Sequence, residues 1–252
     1  MDFDVQHYTR TLAMRSPGSF RLGPFIVRYD EGWSNPYGNY AIPDDGAEPT
    51  EQDIRALIEA FRDRDRKPRL EFQPSRMPKV EAVLLECGFE IEGRPPIMAC
   101  PPENLAAPNP VPGLELSEPR TDEELLVLAS IQHHAFGEQG EPTMDSICGL
   151  RRTILNGGIA VLARLDGEPA GGGSCSSPVD GLTEIGGVAV DARLRRRGIG
   201  AAVSAHLTAL AYQRGLQFVW LEPADETVER IYATIGYRRA TEKLDISMPT
   251  TA

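Results

Sequence analysis

The chain has 252 residues, a formal net charge of −11, and 41% apolar and 25% charged residues. That is length enough for one large domain or two ordinary ones, each with its own core. The acidic balance excludes a general binder of nucleic-acid backbone, which needs a basic face. The longest apolar runs, Ile159 to Ala163 and Phe218 to Leu221, and an N-terminus without an apolar signal core predict a cytoplasmic protein with no membrane partner.

In chain order, apolar periodicity predicts strands at Phe25 to Tyr29 and Tyr37 to Ile42, a helix over Glu51 to Arg66 and a strand over Arg69 to Gln73. A helix over Met77 to Cys87 and one strand from Phe89 to Ala99 follow. Between Pro101 and Pro112 the sequence PPENLAAPNPVP can neither propagate a helix nor sit in a central strand, so it reads as a linker. The expected division is 1–105 and 106–252.

Beyond it, Asp122 to His134 and Met144 to Leu155 read as helices, the first capped by Thr121 or Asp122. Asp166-Gly167 is a turn between the strands Ile159 to Leu165 and Ala170 to Ser176. Then come strand Leu182 to Val190, helix Gly198 to Arg214, strand Gln217 to Leu221, helix Thr227 to Ile235 and strand Tyr237 to Ser247. The fold class is α/β with mixed sheets and flanking helices.

The two halves repeat. Gly88-Phe89 and Gly236-Tyr237 stand 148 residues apart, and the same offset sets Ala41-Ile42 on Ala189-Val190 and Phe72 on Trp220. The copies differ at one loop. Against Arg195 to Gly200 (RRRGIG), the first half has Ala47 to Gln52 (AEPTEQ), with two acids and no glycine.

That loop carries the chemistry. Arg195-x-x-Gly198-x-Gly200 follows an apolar strand and opens an Ala-rich helix. Glycines there let the chain turn tightly and leave N–H groups free to converge on an anion, and the helix dipole adds positive potential. Arginines at 193, 195, 196 and 197 reinforce it. A pyrophosphate is the natural ligand. A Walker loop is excluded because no Gly-Lys-Ser/Thr is present, and a dinucleotide fingerprint because Val203 occupies its third glycine position.

The stretch VAVDARLRRRGIGAAV resembles the acyl-CoA-binding motif of the GNAT superfamily of N-acyltransferases, and ADETVERIYATIGY resembles that family's later helix. The resemblance spans residues 121 to about 248. It implies a mixed sheet split into a V, acetyl-CoA as cosubstrate, and a pantetheine arm in the opening paired to the strand Gly187 to Val190. It further implies a pyrophosphate held at Arg195, Arg196, Arg197, Gly198, Ile199, Gly200 and Ala201. Asp225 and Val228 stand where the family commonly has asparagine and alanine. The first half resembles a second, degenerate copy, with Glu48 and Glu51 at its would-be loop and Leu84 where Tyr232 stands. One coenzyme site is expected, not two.

Acyl transfer to an amine needs a neutral nucleophile, a polarised carbonyl and a proton for the departing thiolate. Tyr232, a phenol on the later helix, is the candidate acid. Glu184, two residues before Gly186-Gly187, is the candidate base, and the glycine pair suggests a bulge. A backbone N–H of Val188, Ala189 or Val190 would polarise the carbonyl. Glu138 and Glu141 are candidate substrate contacts.

His133 and His134 point about 100° apart on a helix and make no joint metal pair, and no Cys/His cluster exists, so no metal is expected. The four cysteines, Cys87, Cys100, Cys148 and Cys175, read as reduced thiols, and Trp33 and Trp220 as core aromatics. The reading is an N-acetyltransferase moving an acetyl group to a primary amine, with a small cationic acceptor favoured by the acidic balance. A non-catalytic acyl-CoA sensor or scaffold is the alternative. No nucleic-acid partner is expected, and a homodimer is left open.

Overall fold

The computed structural model describes residues 4–138, 140–142 and 144–249, with the backbone alone at 145 and 146. In chain order the elements are α1 (Val5–Arg15), β1 (Phe20–Leu22), β2 (Phe25–Arg28), β3 (Tyr40–Pro43), α2 (Glu51–Arg62), β4 (Arg69–Phe72), α3 (Pro78–Glu86), β5 (Glu90–Gly93) and β6 (Pro96–Ala99). They continue as β7 (Leu114–Ser117), α4 (Asp122–Ala135), α5 (Met144–Leu155), β8 (Ile159–Leu165), β9 (Glu168–Cys175) and β10 (Leu182–Val190). The last are α6 (Ile199–Gln213), β11 (Phe218–Leu221), α7 (Glu226–Thr234), β12 (Arg238–Glu242) and β13 (Leu244–Ser247).

These elements form two mixed sheets, ordered β1-β2-β3-β4-β13-β5 and β12-β6-β11-β10-β9-β8-β7. Two compact units result, Met1–Pro96 with Thr241–Ala252, and Ile97–Ala240. The expected break at 105/106 therefore falls inside the second unit. Its cause is local. The single strand expected over Phe89 to Ala99 is cut by Pro95-Pro96, two residues that cannot donate to a ladder. β5 stays with β13, while β6 pairs antiparallel with β11 through Trp220↔Ala99 and Leu221↔Met98. The strand expected over Tyr237 to Ser247 is likewise two, with β13 antiparallel to β4 through Leu244↔Phe72 and Ile246↔Leu70.

The offset of 148 seen in the sequence carries α3 onto α7, the start of α2 onto that of α6, and β5 and β6 onto the starts of β12 and β13. The first unit's core joins Ile54, Leu57 and Phe61 of α2 to Leu70, Phe72, Leu84 and Leu244. That of the second unit joins Val203 and Leu207 of α6 to Ile185, Val219, Leu221 and Tyr237. α2 is amphipathic, with its buried residues at helical spacing, and Thr50 and Asp53 cap it reciprocally. α6 is buried on most of its circumference, and β8 is buried at all but one position, as a central strand must be.

Candidate active site

In the second unit, β10 runs parallel to β11 from Leu182↔Phe218 to Ile185↔Leu221 and no further. β11 ends there, while β10 continues to Val190 against β9 alone. A cleft opens where the pairing stops.

A bulge decides which backbone groups face that cleft. Before it, Gly186 stands opposite Ser174, and Ser176 N–H donates to Glu184 O at 2.8 Å, so even-numbered residues bond to β9. After it, Ala189 stands opposite Gly172, and Asp191 N–H donates to Ala170 O at 2.9 Å, so odd-numbered residues do. Antiparallel pairing alternates, so Val190, and Val188 at the bulge, turn their main-chain groups away from β9 and toward the opening. Arg195 Nε reaches the Val190 carbonyl there at 3.3 Å. In an unbulged strand both residues would face β9.

Three consecutive glycines on β9 make this packing fit. A Cβ on Gly172 would stand 2.3 Å from Leu128 of α4, and one on Gly173 would stand 3.1 Å from Val188 and 3.2 Å from Leu207 of α6. α4 and α6 thus cover opposite faces of the sheet.

The loop after β10 turns on two residues with left-handed backbone, Arg196 at φ 63° and Gly198 at φ 84°. Gly198 caps α6 with no side-chain hydrogen bond. The bond Ala202 N–H to Gly198 O, 3.0 Å, begins the helix ladder. The N–H groups of Ile199, Gly200 and Ala201 are therefore those a helix leaves open. α2 differs: Thr50 Oγ1 accepts from Asp53 N–H at 3.3 Å, and Asp53 accepts from Thr50 N–H at 2.8 Å. Its N-terminus is filled by its own side chains, a carboxylate among them. Of the loop arginines, Arg193 forks onto Asp191 with its Nε at 3.0 Å and Nη2 at 2.9 Å, and that bond holds the Asp191 carboxyl below its ordinary range. Arg193 thus braces the turn.

The cleft encloses about 700 Å³. Val188, Ala189, Val190, Arg195, Arg196, Gly198, Ile199, Gly200, Ala201 and Tyr232 line it, whereas Arg197 is outside the lining. Tyr232 is buried, and burial raises its phenol above its ordinary value, against a smaller downward pull from the neighbouring Ser204 side chain. Ser204 in turn donates to Gly200 O at 2.9 Å. Val228 adds an apolar wall, and Asp225 caps α7 by accepting from Val228 N–H at 2.8 Å, as an asparagine could.

The carboxylates lie elsewhere. Glu184 is half-buried on β10, on the face opposite Ile185, and is not among the lining residues. Glu138 pairs with His133 Nδ1 at 2.9 Å, Glu141 is exposed, and neither lines the cleft. Among the described residues, no cluster of three or more His, Cys, Asp or Glu could hold a metal, and no helix is long and apolar enough to cross a membrane.

Sequence reading missed several wall residues. Ala107, Pro108 and Asn109 of the proline-rich segment line the cleft, and Ala106 N–H anchors that segment to Ile235 O at 3.2 Å. It is a wall of the second unit, not a tether. Phe136 and Ile231, both exposed, complete the apolar rim. Gln132, whose Nε2 donates to Gly187 O at 2.8 Å, had no local motif to mark it.

A parted pair of parallel strands beside an uncapped, glycine-led helix is the arrangement the loop motif called for. Residues 125–237 match the acetyltransferase (GNAT) family. Solved structures agree. A GCN5-related N-acetyltransferase from Kribbella flavida is 25% identical, with a TM-score of 0.80 over 98% of this chain and 95% of that one. A GCN5-related N-acetyltransferase from Sphaerobacter thermophilus, 16% identical, aligns at a TM-score of 0.65 over 90% and 78%. A tandem GNAT protein from the clavulanic acid biosynthesis pathway, 14% identical, aligns at 0.60 over 99% and 90%. No curated protein matches the sequence. The matched segment begins within α4, runs through α7 and takes in every cleft-lining residue except the Ala107–Asn109 wall.

Proposed function

We propose that the second unit is an acetyl-CoA-dependent N-acetyltransferase acting on a primary amine, and that the chain has one coenzyme site. The observation that carries this reading is the open N-terminus of α6, led by Gly198, beside the cleft-facing strand β10. The residues present suit the coenzyme. A diphosphate fits convergent N–H groups at a helix start with Arg195 and Arg196 at hand, and an amide-bearing arm can pair with a strand's free edge as a further strand would. The first unit offers no equivalent, because Thr50 and Asp53 already fill the start of α2 and Leu84 is buried where Tyr232 would stand.

When bound, acetyl-CoA supplies an acetyl thioester with a thiol leaving group. Tyr232 holds its proton at neutral pH, since burial keeps the phenol above its ordinary value, and as a residue of the cleft wall it is proposed to donate that proton to the departing sulfur. The N–H groups of Val188 and Val190 polarise a carbonyl placed against the strand. An aliphatic amine costs about 4–5 kcal/mol to deprotonate at pH 7, and Glu184 is proposed to take that proton, directly or through water. The net charge of −11 supports a small cationic acceptor. The only charged lining side chains among the described residues are arginines, so the acceptor's cation is read outside this cleft, on the Glu184 side of the sheet. The free thiols Cys100 and Cys175, both buried, support a reducing, cytoplasmic setting.

Calorimetric titration with acetyl-CoA, followed by thiol-release assays over polyamines, amino acids, aminoglycosides and peptides, tests this. One site per chain and acceptor-dependent thiol release are expected. Two sites, or none, would overturn the single-site assignment; tight binding with no turnover on any amine would favour a sensor.

A further inference from the structure

The bulge in β10 sets Gly187 and Val188 against the single residue Gly173. A bulge strands one residue of its ladder, and here the carbonyl of Gly187 has left β9. It accepts instead from Gln132 Nε2, 2.8 Å away, delivered by α4 from the sheet face opposite α6. The fit is mutual. Gly187 has φ 62°, a backbone that side chains rarely adopt, and a Cβ on it would stand 2.5 Å from that same Nε2. Ser174, whose Oγ would stand 3.9 Å from that Cβ, is turned to the neighbouring carbonyl, Gly186 O, at 3.5 Å, a weak contact.

We propose that Gln132 is a positioning residue for the coenzyme: by satisfying the Gly187 carbonyl it holds the bulge, and through it keeps the N–H groups of Val188 and Val190 turned into the cleft. This rests on the acyl-coenzyme reading of that cleft. Loss of the donor leaves a half-buried carbonyl without its partner, and the strand can recover a partner by returning to regular register, which turns Val188 and Val190 back toward β9. The N-terminus of α6 is built by other residues and stays as it is. Gln132 therefore governs the part of the coenzyme that runs along β10 and not the part held at the helix.

The experiment uses the full chain and three ligands, adenosine 3′,5′-bisphosphate, CoA and acetyl-CoA, measured by calorimetry on the wild type, Gln132→Met and Gln132→Glu. Methionine keeps the length without the donor, and glutamate sets an acceptor against the carbonyl. For both variants CoA and acetyl-CoA should weaken by about five- to tenfold, the worth of one hydrogen bond, while the bisphosphate stays within about twofold. Amide exchange should change within residues 186–190, slowing at Val188 and Val190 as they gain partners on β9 and quickening at Ala189 as it loses its own, without a matching change elsewhere. An equal loss for all three ligands would make Gln132 merely structural, and unchanged affinities with unchanged exchange would overturn the proposal. If the wild type binds none of the three, the coenzyme reading itself fails, and the exchange comparison still reports whether Gln132 holds the bulge.

Discussion

Ser204 stands between Tyr232 and the first turn of α6: its hydroxyl donates to Gly200 O at 2.9 Å, and the same side chain lies near enough to the Tyr232 phenol to pull its pKa down against burial. The proposed acid and the proposed phosphate cradle thus meet at one side chain. Tyr232→Phe removes the proton and keeps the ring that packs near Tyr237. Turnover should fall about 10²- to 10⁴-fold, with coenzyme affinity within about threefold. Ser204→Ala leaves the phenol in place and takes away the neighbour that opposes its rise on burial, so it should cost far less than Tyr232→Phe, within about tenfold in turnover. Because burial holds the phenol above its ordinary value, the rate should show no alkaline decline from this group below about pH 10. A steady-state profile in which the Tyr232→Phe protein turns over like the wild type would remove Tyr232 from the chemistry.

The two glycines of the loop do different work and should separate experimentally. Gly198 has φ 84°, and a Cβ on it would press Val111 at 3.3 Å, whereas a Cβ on Gly200 meets only Val190 at an ordinary 3.8 Å. Gly198→Ala should lower stability by about 1–2 kcal/mol through the left-handed backbone. Gly200→Ala should melt like the wild type and yet bind coenzyme at least about tenfold more weakly, because a methyl enters the space beside the open N–H groups. Thermal melts paired with calorimetry check both. A Gly200→Ala protein of unchanged affinity would move the phosphate elsewhere.

What the sequence made legible was local. The glycine loop, the start of α6, and Tyr232 on α7 each announce themselves within a dozen residues, since caps, turns and helical spacing are short-range physics. The pairing of strands is not. Nothing near Pro96 or Leu244 says that β6 joins β11 or that β13 lies between β4 and β5; the prolines say only that a strand must stop. The bulge was half-visible, because Gly186-Gly187 hinted at it, but its register depends on Ser174 and Gly172 across the sheet. Gln132 was invisible, since a glutamine in mid-helix acquires meaning only from the carbonyl it meets.

The first unit holds a charge cluster that should show in acid. Burial alone would raise the Glu92 carboxyl, but hydrogen bonds from Ser247, Lys67 and Arg69 outweigh it and hold it down at about 2, against an ordinary 4.5. Arg69, nearly fully buried, donates through Nε at 2.8 Å, Lys67 at 2.9 Å and Ser247 at 2.6 Å. A carboxyl lowered by folding stabilises the fold fully above its unfolded value and loses that contribution as pH falls toward the folded one. Glu92→Gln should therefore cost about 2 kcal/mol at pH 7, allowing for its partial exposure. The deficit should shrink between pH 4.5 and 2 and vanish below. Urea unfolding of both proteins at several pH values measures it, and a deficit independent of pH would assign the loss to packing instead.

The glycines of β9 make the last test, because their necessity is steric. A Cβ on Gly172 would lie 2.3 Å from Leu128 Cδ1 and 2.5 Å from the Val161 carbonyl oxygen. Leucine can rotate away; a main-chain carbonyl in the middle of a sheet cannot. Gly172→Ala should cost about 2–4 kcal/mol, an overpacking penalty, and Leu128→Ala in the same chain should restore only part of it, because the carbonyl contact persists. Gly186 is the control: a Cβ there meets nothing within 4 Å, so Gly186→Ala should stay within about 1 kcal/mol of the wild type. Denaturant midpoints decide between them. If Leu128→Ala restored all the stability of Gly172→Ala, α4 alone would dictate the glycine, and the spacing of β8 from β9 would have no part in it.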